Sequence, residues 1–483
     1  MEKIRSFFFE NSNTRQTIIK NTFWLFIGEA SGRLLKMLLI VYAARKLGAE
    51  GWGTFAYALS VASLLMILSD VGIGTLITRN ASQKDENYRT FISAALLLKG
   101  IVLAISIILV ILISPHISNI KEAVVLFPII GLIFLFDSIR DVGFAINRML
   151  EKMEREMIIK VIMNSIILVL GITLIKANPL PISIAVAYVI GSGVSAVLII
   201  WILRKDILEF IVKINVDTLK LVIKTTLPLA IVVLVGTIMG NTDIYMLGIW
   251  KTPEEIGIYS AAQRFFQFII IIPSMIATAT LPLMSRLANK DNEKFKKVLE
   301  NTLSLFMVIV IPIALGGLIL ASQIIPFTFG PQYLTAIPVL QILMVMLLVS
   351  SPLILLINSV FAYNEQRKLV SANIFGVLIN ILFNLLLIPR FGVTGAALAT
   401  LASTSIVTYV VWRKMKKINY FEILPSFKGA IVPTIVMLLI TLILKHFEVK
   451  VMLNIIISSI FYFWVLFLVK KSILVELKEI LKV

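Results

Sequence analysis

The chain has 483 residues, 59% of them hydrophobic and only 15% charged, a balance too apolar for a soluble protein of this length. It contains no cysteine, which excludes disulfides, thiol catalysis and thiolate metal sites together. The formal charge of +18 does not point to nucleic acid, because the basic residues sit in short loops between apolar runs. Those runs recur down the chain at about 18 residues or more, long enough to cross a bilayer. The fold class is therefore an all-α polytopic membrane protein. An outer-membrane barrel is excluded, since its strands alternate over about 10 residues.

Residues 1–20 read as a cytoplasmic tail and not a signal peptide, because no small-residue cleavage site follows a short apolar core. Ile4, Phe7 and Phe8 beside Lys3 and Arg5 also fit a short interfacial helix. The first span, 21–44, holds Glu29, Arg33 and Lys36, whose i, i+4, i+7 spacing puts them on one helix face. A membrane helix keeps such a stripe against protein or a water-filled cavity. The bland alternative is a Glu29–Arg33 pair that neutralises itself inside the bundle, which leaves Lys36 unexplained.

Span 2, 54–78, carries Asp70 at its inner end, a gate candidate or a plain helix-end residue. Span 3, 91–113, holds Lys99 near enough to the inner end to snorkel. Span 4, 124–146, holds Asp137, Arg140 and Asp141, which fit structural pairing, a gate or a substrate contact equally. Spans 5 and 6 follow at 158–176 and 182–203, then a cytoplasmic linker at 204–220. In span 7, 221–248, Asn241, Thr242 and Asp243 interrupt the apolar run. Span 8, 256–284, holds Arg264 with Gln263 and Gln267, and Pro273 offers a kink point. Spans 9 and 10 cover 302–322 and 335–361. Span 11, 369–388, places Asn380 and Asn384 on one face, and span 12, 394–412, holds Thr400. A cytoplasmic loop at 413–429 leads to spans 13 and 14, 430–445 and 451–469, and residues 470–483 form a cytoplasmic tail. Fourteen spans result. The prolines Pro228, Pro273, Pro282, Pro312, Pro338 and Pro352 are expected to bend spans 7–10. Trp24, Trp52, Trp201, Trp250, Trp412 and Trp464 read as interfacial belts.

Orientation follows from the loops. Of 45 Lys and Arg residues, the loops on the side of the N-terminus hold 31 and the opposite loops 8, which places both termini in the cytoplasm. His116 and His446 fall far apart in predicted outer loops, which argues against zinc. No loop is long enough for a soluble catalytic domain, so any chemistry lies between helices. An internal repeat is also visible. Glu50-Gly51-Trp52-Gly53-Thr54-Phe55-Ala56 resembles Glu254-Glu255-Ile256-Gly257-Ile258-Tyr259-Ser260, and Trp201 before Arg204-Lys205 matches Trp412 before Arg413-Lys414. Both copies start on the inner side, which implies lobes of spans 1–6 (21–203) and 7–12 (221–412), a pseudo-twofold along the membrane normal, and two extra helices (430–469).

Leu47-Gly48-Ala49-Glu50-Gly51-Trp52-Gly53, Leu68-Ser69-Asp70-Val71-Gly72-Ile73-Gly74 and Thr78-Arg79-Asn80-Ala81 resemble the N-terminal signature of polysaccharide-unit flippases. These belong to the multidrug/oligosaccharidyl-lipid/polysaccharide exporter superfamily, alongside lipid II flippases and multidrug antiporters. The resemblance implies two six-helix lobes around a central cavity, alternating access, and a non-enzymatic transporter of the plasma membrane. It implies a polyprenyl-(pyro)phosphate-linked oligosaccharide as substrate, carried from the inner to the outer leaflet, with glycan-assembly enzymes as partners. Extra helices of this kind shape a lipid-tail groove in some members. On this reading Glu29, Arg33, Lys36, Arg264 and Gln267 bind substrate, and Asp70, Asp137, Arg140 and Asp141 are gate candidates. Asp243, Asn380, Asn384 and Thr400 offer the hard oxygens for a coupling Na⁺, or Asp243 a site for H⁺. No other cofactor is expected. The alternatives are a multidrug or organic-cation antiporter of the same fold, an integral-membrane glycan polymerase or ligase, and a scaffold subunit. A drug cavity is expected to be acidic or aromatic, an enzyme to carry a sizeable catalytic loop, and a scaffold to lack charges in its spans.

Overall fold

A computed structural model describes residues 14–66, 69, 72–80, 88–210, 212, 214–423 and 425–469. Residues 1–13 and 470–483, Asp70 and the stretch 81–87 are among those outside the described residues. Helices account for nearly all of the described chain. In order they are α1 (Thr14–Met66), α2 (Ile73–Asn80), α3 (Tyr88–Ile117), α4 (Lys121–Val124), α5 (Phe127–Met149), α6 (Met153–Ala177), α7 (Pro181–Glu209) and α8 (Val216–Trp250). They continue as α9 (Pro253–Ile269), α10 (Ile271–Leu287), α11 (Asn292–Thr328), α12 (Ile337–Ala362), α13 (Arg367–Ile418), α14 (Pro425–His446) and α15 (Val451–Val469).

Nine helices among the described residues are long and apolar enough to cross a membrane. α1, α5 and α8 are not among them. These are the helices that carry Glu29, Arg33 and Lys36, then Asp137, Arg140 and Asp141, then Asp243. In α1 and α5 the charged stripes account for this, since a face that meets protein or water need not be apolar; side chains 228–229 and 231–233 of α8 lie outside the described residues. α1 and α13 each bend at a glycine in left-handed conformation, Gly48 (φ 73°) and Gly392 (φ 58°). Both lie in the same local pattern, Gly-x-x-Gly after a basic and an apolar residue: Arg45-Lys46-Leu47-Gly48 and Arg390-Phe391-Gly392. A side chain at positive φ crowds its own carbonyl, so glycine turns the chain there without strain.

The chain divides into two compact units, residues 1–257 and 258–483. In the first, Ile73, Leu76, Ile92, Phe144, Ile199 and Val222 form a buried core. Between lipid-embedded helices burial from water supplies little driving force, so close packing must supply it. Cβ-less positions allow it: Leu39 of α1 packs over Gly171 of α6, and Ile199 of α7 over Gly143 of α5. α8, expected as the first span of the second lobe, is described with this unit; Ser60 of α1 donates to the Asn241 side-chain oxygen at 3.1 Å. Trp52 departs from the belt expectation. It is buried at 2% exposure beside Phe55, next to Gly53, where the missing side chain lets the Pro253 backbone approach α1 closely.

The second unit is built on Phe295, Leu299, Leu303, Phe306, Leu355 and Val411. The expected span 8 divides at Ile270 into α9 and α10. Pro273 has no N–H to donate to the Ile269 carbonyl, and the helix breaks there. Pro312 leaves the Val308 carbonyl without its helical donor in the same way, and the Tyr462 hydroxyl of α15 donates to it at 2.5 Å. α14 and α15 are joined by a buried polar ladder. Thr441 Oγ1 donates to Ser458 Oγ at 2.9 Å, Ser458 to Asn454 Oδ1 at 3.0 Å, and Asn454 Nδ2 to the Thr441 carbonyl at 3.1 Å.

Candidate functional site

The first half of α1 positions the charge stripe as its spacing predicts. Arg33 Nε donates to Glu29 Oε1 at 2.7 Å, the intrahelical pair anticipated as the bland reading. A second cation, Lys160 of α6, reaches the other oxygen, Glu29 Oε2, at 3.3 Å. Lys160 also pairs with Glu156, one turn earlier on α6, at 3.0 Å. Glu156 is fully buried, and Arg148 at the end of α5 grips it with two bonds, Nη2–Oε1 at 2.6 Å and Nε–Oε2 at 2.8 Å. The result is one ionic chain over three helices, Arg33–Glu29–Lys160–Glu156–Arg148. Its buried end is fixed by bidentate geometry. Its other end is open: Arg33 and Glu29 are 42% and 40% exposed, and Lys36 is exposed one turn on. Lys160 and Glu156 are not among the expected site residues; the loop count takes Lys160 for a cytoplasmic cation. The available signal is the Glu156/Lys160 i, i+4 pair leading into an apolar run.

α5 extends the polar face. Asp137, Arg140, Asp141, Phe144 and Arg148 recur at helical spacing along one side. Arg140 pairs with Asp137 and, at 2.9 Å, with Asp141, while Ser192 of α7 donates to Asp137 Oδ1 at 2.8 Å. The Phe144 ring lies 5.6 Å from both the Arg140 guanidinium and the Lys160 ammonium, so one aromatic ring links the two charge groups. Beside it is a polar cavity of about 250 Å³ lined by Ser63, Ser69, Lys99, Asp137, Asp141 and Asn241, among others. Lys99 does not snorkel. It is 8% exposed and donates to the Ser69 carbonyl at 2.5 Å, where the backbone beyond the end of α1 is free to accept.

Other expected residues are placed separately. Asp243 is buried in α8 of the first unit. Asn241, Thr242 and Asp243 do not break that helix: Asn241 Nδ2 bonds the Thr237 carbonyl at 3.0 Å and Thr242 Oγ1 the Ile238 carbonyl at 2.5 Å, so both polar groups are satisfied by their own preceding turn. In the second unit, Arg264 Nη1 donates to Gln267 Oε1 at 2.9 Å on α9. Asn380, Asn384 and Thr400 come together across the bend of α13. Asn380 Nδ2 donates to Thr400 Oγ1 at 3.5 Å and to Ser403 Oγ at 3.3 Å, and Asn384 Nδ2 to Asn380 Oδ1 at 3.1 Å. The same unit holds an apolar groove of about 350 Å³ walled by Phe265, Ile269, Pro312, Met437, Ile455 and Phe463, among others, between α9, α11 and the two C-terminal helices.

Chemically, the first unit presents guanidinium and ammonium groups converging on one exposed carboxylate. Such a set is suited to holding an anion by charge and hydrogen bonds. The groove of the second unit is suited to hydrocarbon.

The family described as "Polysaccharide biosynthesis protein" matches residues 18–288, more than half of the chain, and the MatE family matches residues 228–386. Two curated relatives come from Haloferax volcanii. "Probable low-salt glycan biosynthesis flippase Agl15" is 28% identical over 34% of this chain and 35% of its own length. "Probable flippase AglR" is 30% identical over 36% of this chain and 37% of its own length. The chain thus aligns with little more than a third of either relative. Among solved structures, the lipid II flippase MurJ in an inward closed conformation superposes with a TM-score of 0.79 at 17% identity, covering 93% of this chain and 100% of that one. That likeness shows a shared fold.

Proposed function

The chain belongs to the polysaccharide biosynthesis protein family, and from that premise we propose that it is a flippase for a lipid-linked oligosaccharide. The observation that carries the proposal is the convergence of Arg33 and Lys160 on one exposed carboxylate in a multi-pass membrane protein. The phosphate or pyrophosphate joining a glycan to a polyprenyl carrier is the anion such a pair would hold, and Arg33 can grip it bidentately. Support for the carrier comes from the groove of about 350 Å³ beside α14 and α15, whose apolar lining suits a hydrocarbon chain. Names of the relatives, as flippases, point the same way.

On this reading the substrate moves from the inner to the outer leaflet of the plasma membrane by alternating access, with both termini cytoplasmic. Lys36 adds a further substrate contact in the first unit, and Arg264 with Gln267 is a separate candidate contact in the second. Asp137, Arg140 and Asp141 act as a gate whose ion pairs exchange between states. Coupling to Na⁺ or H⁺ is assigned to two separate candidates, Asp243 in the first unit and the Asn380–Asn384–Thr400 cluster in the second. Drug antiport is less favoured, because the stripe on α1 is basic. Deletion of the gene in its host should leave lipid-linked glycan on the inner leaflet, detected as glycan protected from an external lectin or glycosidase. Unchanged surface glycan in the deletion strain would overturn the proposal.

A further inference from the structure

Two carboxylates sit in the ionic chain, and their surroundings differ. Glu156 is wholly buried and held by Arg148 through two short bonds. Glu29 is 40% exposed, and its two oxygens are shared between Arg33 and Lys160, cations from different helices. The first arrangement is a fixed anchor: Glu156 also contacts Lys160 at 3.0 Å and so sets where that ammonium stands. The second is an arrangement whose geometry any two-oxygen anion can satisfy. Exposed ion pairs are weak and hydrated, so they exchange readily.

We propose that Glu29 is an internal stand-in for the substrate's phosphate: it occupies Arg33 and Lys160 when no substrate is bound, and a phosphate group displaces it from both. The inference rests on the flippase reading and adds to it a substrate-binding role for Lys160 and a competitor's role for Glu29. Exchange costs little, because the carboxylate leaves for water and the cations keep a partner throughout. A phosphate ester carries more charge and more acceptor oxygens than the carboxylate, so it wins the two cations. Glu29 then stands beside the bound anion as a like charge, which weakens the final complex and favours release. Glu156 holds Lys160 in register through the exchange. A neutral or cationic headgroup cannot displace Glu29, so the device also selects for anionic substrates.

The test uses the full chain in phosphatidylcholine nanodiscs, with inorganic pyrophosphate as probe and calorimetric titration at low ionic strength. Glu29→Gln should bind pyrophosphate about three- to tenfold more tightly than the natural protein, as expected from removing one exposed and one partly buried ion pair. Lys160→Gln should bind it more weakly by a similar factor. A purely structural role for Glu29 would instead weaken binding and lower the melting temperature, so melting curves accompany each titration. Equal or weaker binding by a normally melting Glu29→Gln protein overturns the exchange. If Arg33→Ala abolishes binding in that event, the anionic-substrate reading stands alone. If Arg33→Ala binds pyrophosphate as the natural protein does, that reading falls as well. A final arm replaces part of the lipid with phosphatidylglycerol. Pyrophosphate binding should persist; its loss would make bulk lipid headgroups the occupant and overturn the assignment to substrate phosphate.

Discussion

Arg148 and Glu156 make unequal halves of one ion pair, and the inequality is measurable. The Glu156 side chain is 0% exposed, whereas Arg148 is 41% exposed. Arg148→Ala therefore leaves a buried carboxylate with Lys160 as its remaining cation at 3.0 Å. Removing one partner of a buried pair costs about 3–5 kcal/mol, and the retained lysine places this case near the low end, about 3 kcal/mol. Glu156→Ala leaves an arginine that already reaches water, so its cost is that of lost hydrogen bonds to a charged group, about 1.5 kcal/mol. The double substitution removes both the stranded charge and its partner, and should cost about as much as Glu156→Ala alone. Thermal unfolding of the purified protein in detergent gives the ranking: Arg148→Ala melts lowest, and adding Glu156→Ala to it raises the melting temperature. A Glu156→Ala protein less stable than Arg148→Ala, or strictly additive costs in the double variant, would refute the argument from burial.

Tyr462→Phe should destabilise the protein by about 0.6–1.5 kcal/mol, because the Val308 carbonyl loses its donor. With Pro312→Ala already present the same change should be nearly silent, since the alanine's backbone N–H then donates to Val308; melting curves of the four proteins decide it. Gly48→Ala should cost about 1–3 kcal/mol from positive-φ backbone strain alone, as nothing lies within 4 Å of the added carbon. Gly53→Ala, whose added carbon meets the Pro253 backbone, should instead prevent recovery of folded protein by size-exclusion chromatography. Asp291 caps α11 by accepting from the Lys294 N–H at 3.0 Å, and that bond together with the Lys294 side chain holds its carboxyl below the usual range. A lowered folded value means the stabilisation is complete above the unfolded pKa of 3.8 and is lost as pH falls through the folded one. The melting temperature of the natural protein should accordingly exceed that of Asp291→Asn near neutral pH and converge with it in strong acid.

Much of the fold is legible without coordinates, because its determinants are local. Apolar runs mark helices, Pro273 marks the break between α9 and α10, and Gly72, in left-handed conformation at φ 72°, marks the irregular end of the second span. The bend at Gly392 is hidden, because a glycine-containing stretch between apolar spans looks like a loop. Only its kinship with the Gly48 pattern distinguishes it. Glu29 and Arg33 are legible through their i, i+4 spacing. Lys160 is not, because the partner that recruits it is 131 residues away and periodicity carries no record of such contacts. The expectations for Trp52 and Lys99 fail for one reason. Both are amphipathic side chains, and the interface and the interior compete for them by packing that only the folded chain reveals. The Tyr462–Val308 bond is half legible: Pro312 announces an orphaned carbonyl, but not which helix will supply the donor.

The measurement closest to the heart of this account is leaflet exchange by the purified protein. Liposomes carrying it would be loaded with a polyprenyl-pyrophosphate-linked sugar, and the outer pool read by an enzyme that cannot enter. The natural protein should expose the inner pool, and Arg33→Ala combined with Lys36→Ala should not, while both melt alike. Exchange at the natural rate by the doubly substituted protein would contradict an anion site on α1.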